Sequence, residues 1–131
     1  MELELKGTIK TKHYNSVENG YDENITFCNE KGEYIALCFD TKKGRDEYFY
    51  YNKNNCNFKD NELVAQQGIN IKIVKDDTFE PYEEDGAKYI FTIKTSENKT
   101  YTITVYNYPD GQYYHRASIN HNGQWVWEEY F

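Results

Sequence analysis

Long apolar runs are missing from this chain. No segment approaches the ~18 consecutive apolar residues a membrane-spanning helix needs, so none is expected. Positive charge is scarce. Lys and Arg together number 15 against 22 Asp and Glu, and only two residues are Arg. The net charge of −7 and pI near 5.0 argue against binding nucleic acid, which runs on phosphate neutralisation by Lys and Arg. They argue equally against adsorption to anionic membranes, and a basic protein partner would be attracted instead. The first ten residues, MELELKGTIK, have no basic stretch leading into an apolar core, so no secretory signal is expected there.

Cysteine is sparse and unpaired by motif. Cys28, Cys38 and Cys56 are an odd number with no Cys-x-x-Cys spacing, which reads as free thiols in a reducing, cytoplasmic setting. His13, His115 and His121 include no His-x-x-x-His pair. On one strand His115 and His121 would stand about 20 Å apart, too far to share a metal. There is no Gly-x-Ser-x-Gly elbow, Walker sequence or Gly-x-Gly-x-x-Gly turn. Ser118 and His115, at odd spacing, point to opposite faces of a strand. No metal, cofactor or catalytic set is expected, and the chain reads as non-enzymatic.

Aromatic rings are plentiful: 14 Tyr, 7 Phe and 2 Trp. They sit in segments that alternate two by two, while helical stripes are nearly absent. LELKGTIK alternates through Leu3, Leu5 and Ile9. NITFC aligns Ile25 with Phe27, and YIALCF aligns Ile35, Leu37 and Phe39. Further strands are expected in 46–52 and in INIKIV, Ile69 to Val74. KYIFTIKT aligns Tyr89, Phe91 and Ile93, and TYTITVYNY aligns Tyr101, Ile103 and Val105. An odd-length loop through Asn98 keeps these two faces together. Asn122-Gly123 is a strong hairpin signal between QYYHRASINH and QWVWEEYF. DNELVAQQG, Asp60 to Gly68, is the one helix candidate, ended by Gly68. The expected fold is one all-β domain over 1–131. It would be an antiparallel sandwich or small closed barrel of about eight to nine strands, with a C-terminal four-strand meander and at most one short helix.

Parity makes two sharper statements. For Ile25 and Phe27 to share a face with Ile35 and Leu37, paired residue numbers must sum to an even number, and pairing Cys28 with Tyr34 then places Cys38 opposite Asn24. The two sulfurs then lie about 13 Å apart along the strands, beyond the ~7 Å Cα limit of a disulfide. The second statement is a conflict. A regular two-residue turn at Asn122-Gly123 pairs Ile119 with Val126 and sends Trp125 and Trp127 to the face of Arg116, Ser118 and Asn120. Either that face is the core, or it is an exposed aromatic surface, or the register slips by one. Burial of large rings favours the core for both Trp.

The candidate site is the stretch DDTFEPYEEDG. It holds Asp76, Asp77, Glu80, Glu83, Glu84 and Asp85 around Phe79 and Tyr82. It lacks the calcium-loop pattern, and its carboxyls are too solvated to work as an acid/base pair. It is either a solvated strand connection with its rings folded back or a recognition loop. In the second case Phe79 and Tyr82 anchor and the acids select a basic partner. Arg116 is expected to stack on Trp127 or hold a carboxylate. The expected function is binding that inhibits or shields another protein, as an immunity protein or a phage-encoded inhibitor does. The alternative is a small-molecule-binding β-barrel.

Overall fold

The computed structural model describes residues 1–14, 21–41, 50–76, 87–107 and 115–130. Within them the chain forms eleven strands and no helix. A five-stranded antiparallel sheet runs in the order β1 (Glu2–Lys6), β7 (Gly68–Lys75), β8 (Ala87–Thr95), β9 (Thr100–Asn107), β5 (Tyr50–Asn54). A six-stranded antiparallel sheet runs β11 (Gln124–Tyr130), β10 (Arg116–His121), β4 (Tyr34–Phe39), β3 (Glu23–Cys28), β2 (Ile9–Tyr14), β6 (Leu63–Ala65).

The two sheets pack as a sandwich. Phe27, Ile35, Leu37 and Phe39 from one sheet meet Ile71, Phe91, Ile93 and Ile103 from the other, all essentially without solvent contact. The alternation seen in the sequence has this cause, since each strand hides one parity of side chains. The closed barrel is not formed, because β1 and β5 remain edges of one sheet and β11 and β6 of the other. The count also exceeds the expected eight or nine strands. One reason is Gly7, at φ +103°, which breaks LELKGTIK into two strands in different sheets, a turn conformation natural to glycine. The four C-terminal strands follow one another as two hairpins, β8–β9 in the five-stranded sheet and β10–β11 in the six-stranded one.

The expected helix at Asp60–Gly68 is absent. Leu63–Ala65 instead pairs with β2, burying Val64 and Ala65, while Asn61 at φ +64° turns the chain in. Gly68 opens β7 rather than capping a helix. Only one or two turns of weak helix propensity were at stake, and an added strand with two buried side chains outweighs them.

Local registers follow parity. Cys28 faces Tyr34 and Asn24 faces Cys38. Asn29 closes that turn, its Oδ1 accepting from the amides of Lys31 and Glu33, each at 3.0 Å. Phe91 faces Ile103 and Tyr89 faces Val105 across the loop at Asn98, whose φ is +63°.

All three thiols are free. Cys56, although it follows the Asn-rich run 52–55, is buried within the core cluster. Its Sγ lies 3.2 Å from Asn54 O and 3.6 Å from Thr102 O. Burial pushes its pKa up from 9.0 to about 11. Cys28 is half-buried, and burial raises its pKa against the pull of Lys12. In the native protein iodoacetamide should therefore alkylate Cys28 first, with Cys38 and Cys56 reacting only as the chain unfolds. Peptide mapping against urea concentration reads this directly. Equal labelling of Cys28 and Cys56 without urea would contradict the packing. The raised Cys56 pKa also has a sign. The native state holds the thiol proton more tightly, so the stability this group supports is full below about pH 9 and declines as pH rises toward about 11.

Candidate functional site: the outer face at β10 and β11

The β10–β11 turn is built by its asparagines. Asn122 and Gly123 take φ of +53° and +92°, which the twist of a tight hairpin requires. Asn120 Oδ1 accepts from the Gly123 amide at 2.9 Å. Asn122 Oδ1 accepts from the Tyr34 amide at 2.7 Å, tying the turn to β4. His121 then faces Gln124 and Asn120 faces Trp125.

One residue later the register slips. Ile119 faces Trp127, Ser118 faces Glu128 and Arg116 faces Tyr130. Val126 is the extra residue of a β-bulge, which re-aims the side chains beyond it. The two Trp residues, two apart in sequence, therefore leave the strand on opposite faces. Trp127 turns inward and meets Tyr89 and Phe91 edge-on, each at 5.3 Å between centroids. Trp125 turns outward and stays 48% exposed. The expectation that both Trp are core is corrected to one in and one out. A regular ladder would have exposed both rings or buried both.

The outward side is organised by a residue the sequence reading passed over. Tyr21 is buried on this face beside Ala36 and Cys38. Its hydroxyl hydrogen-bonds Ser118 Oγ, and Ser118 Oγ donates onward to Glu128 Oε2 at 3.3 Å. Burial pushes the Tyr21 phenol pKa up, so it stays a neutral donor. Its ring lies 5.9 Å from that of Trp125. The Arg116 guanidinium stands 4.2 Å from its centroid and hydrogen-bonds Tyr130, which is 59% exposed. Arg116 thus stacks on Tyr21, not on Trp127, because the bulge takes Trp127 to the other face. The result is a pre-ordered patch of Trp125, Tyr130 and Arg116, with Glu128 at its centre.

Of the acidic stretch, Asp77, Phe79, Glu80, Tyr82, Glu83, Glu84 and Asp85 lie outside the described residues. Asp76 continues the β7–β8 pairing. Its amide donates to Lys88 O at 2.8 Å and its Oδ2 lies 3.5 Å from Lys88 Nζ. Its carboxylate is engaged at the end of the five-stranded sheet, whereas Arg116 belongs to the six-stranded one.

A second polar cluster sits between the sheets. Glu23 Oε1 is 2.7 Å from Lys53 Nζ and 3.0 Å from His13 Nε2. Burial alone would raise the Glu23 carboxyl, but the hydrogen bonds from Lys53 and His13 outweigh it and hold the pKa below the usual carboxylate value. Beside them burial, reinforced by the charge of Glu23, pushes the Tyr51 phenol far up. A carboxylate kept ionised by two donors is a poor proton acceptor. The cluster acts as a clamp between β5 of one sheet and β2–β3 of the other. Parity could have hinted at it, since Glu23 continues the inward face of Ile25 and Phe27. Nothing local could have supplied Lys53.

Among the described residues no group of three or more His, Cys, Asp or Glu side chains is placed to hold a metal ion. Compared with protein-family models, with curated proteins and with solved structures, the chain matches none.

Proposed function

We propose that this protein binds a basic protein partner and thereby inhibits or shields it, using the outer face at β10 and β11. The observation that carries this reading is the exposed Trp125 set beside Arg116 and Tyr130 on a rigid sheet surface. Trp, Tyr and Arg are the residue types that dominate binding energy at protein interfaces. The Tyr21 stack and the Ser118–Glu128 hydrogen bond hold the patch in place beforehand, which lowers the ordering cost of association. The net charge of −7 favours a basic partner. Glu128 on the outer face supplies local steering, and the acids within 77–85 add to the overall negative charge.

The test is quantitative affinity capture from source-cell lysate with the wild type, W125A/Y130A and E83K/E84K/D85K. The wild type should retain a basic protein. The aromatic double variant should lose about thirtyfold or more in affinity, the scale of a single interface hot spot. Charge reversal in the acidic stretch should slow association and flatten its dependence on salt. Retention of the same partner by W125A/Y130A at wild-type affinity would sink the proposal, as would a partner that is acidic.

A further inference from the structure

The same outer face carries a cleft of about 600 Å³ at its other end, on β2, β3 and β4. Its lining includes Lys10, Lys12, Cys28, Tyr34 and Asn61, with the Asn29–Gly32 turn as one rim. Three of these form a row directly across the strands, since Lys10 faces Cys28 and Cys28 faces Tyr34. Lys12, two residues along β2, points to the same side as Lys10 at about 7 Å Cα spacing. Its own row continues through Thr26 and Ala36, which are small. Two ammonium groups therefore overlook one concave floor bounded by an aromatic ring.

Neither lysine has an ion pair among the described residues. The one carboxylate in the lining, Glu30, is held at the rim by Thr8, another residue of the lining. Its Oε2 accepts from the Thr8 amide at 2.8 Å, and backbone hydrogen bonds hold its pKa below the usual range. The Tyr34 ring is fixed at both ends. Its hydroxyl donates to Asn120 Oδ1 at 3.1 Å and its amide to Asn122 Oδ1. In a chain with seven excess negative charges, two adjacent lysines against one carboxylate at a concavity form a local reversal of sign. The volume lies within the range of small-molecule sites.

We infer that this cleft binds a small aromatic ligand carrying a doubly charged anionic group, with Lys10 and Lys12 holding the anion and Tyr34 lying against the ring. Two convergent ammoniums match a dianion better than a single charge, and ammonium–oxyanion hydrogen bonds are the strong ones. The fixed phenol supplies a flat apolar wall at little ordering cost. This site does not include Trp125 or Tyr130 and does not rest on a protein partner.

The test is amide chemical-shift titration of the full chain with phenyl phosphate, with inorganic phosphate and benzyl alcohol as parallel probes. Phenyl phosphate should give saturable shifts confined to the amides of Lys10, Lys12, Cys28 and Tyr34 and their neighbours. K10Q/K12Q should weaken it about tenfold or more, and Y34A should bring it down to the affinity of phosphate alone. Benzyl alcohol should produce no saturable shift. W125A/Y130A should bind phenyl phosphate as the wild type does. Shifts that never saturate, or an affinity unchanged in K10Q/K12Q, would overturn the site. Equal binding of phenyl phosphate and inorganic phosphate by the wild type would overturn the aromatic part. Both lysines are exposed, so the double variant retains its fold and the comparison stands.

Discussion

Phe91→Ala is expected to lower the free energy of unfolding by about 3–5 kcal/mol, the scale for deleting a fully buried ring. Phe91 has no solvent exposure and is one of the rings through which the sheets touch. From β8 of the five-stranded sheet it meets Phe39 of β4 edge-on at 5.2 Å and Trp127 of β11 edge-on at 5.3 Å. Truncation removes both inter-sheet contacts and leaves a cavity that the ladders on either side cannot collapse to fill. A domain of this size has roughly 5–15 kcal/mol in total, so a large share of its stability is at stake. Urea denaturation should show a lower midpoint at unchanged slope. Phe91→Leu, which keeps most of the volume, should cost less than half as much. A loss below about 1 kcal/mol for the alanine variant would mean the sheets are not joined through this ring.

The second large effect is electrostatic. Glu23→Ala should cost about 2–3 kcal/mol, because it leaves Lys53 partly buried with no counter-charge. The figure sits below that for a fully buried pair since Lys53 and His13 keep side-chain exposures of 23% and 19%. The cost should depend on pH in a definite direction. The Glu23 pKa in the fold lies below its ordinary value of 4.5. Its contribution is therefore fully present above the unfolded pKa and disappears as pH falls through the folded one. The stability gap between wild type and variant should be widest near neutrality and narrow in acid. Replacing both partners, as Glu23→Leu with Lys53→Met, should recover much of the loss, because no charge is then stranded. A gap that stays constant from neutral pH into strong acid would show that the carboxylate is not what closes this end of the sandwich.

These two expectations differ in how far they could be read from the chain. Phe91 sits in an alternating run with Tyr89 and Ile93, and its burial follows from parity. The clamp joins His13, Glu23 and Lys53 from three strands. The anchor patch joins Tyr21 to Ser118 across 97 residues. The acidic stretch that local composition brings forward contributes only Asp76 to the described residues, on the other sheet, and its carboxylate is taken up by Lys88. Arg116 was legible as a stacking residue, but its partner was not. That partner depends on a bulge, and a bulge depends on how a neighbouring strand is pinned.

What the amino-acid order settled alone is everything governed by short range. It set the extended character of the segments, the alternation of faces within each strand, and the parity that lets Cys28 pair with Tyr34 and keeps the faces of Phe91 and Ile103 together. A closed hairpin leaves one free variable, the parity of its loop, and that can be counted. Tertiary structure alone decided which sheet each strand joined, that 60–68 extends instead of coiling, that Cys56 is interior, and that Trp125 and Trp127 part company. Each of those outcomes is a competition between a weak local preference and burial against residues tens of positions away, and burial is the larger free energy.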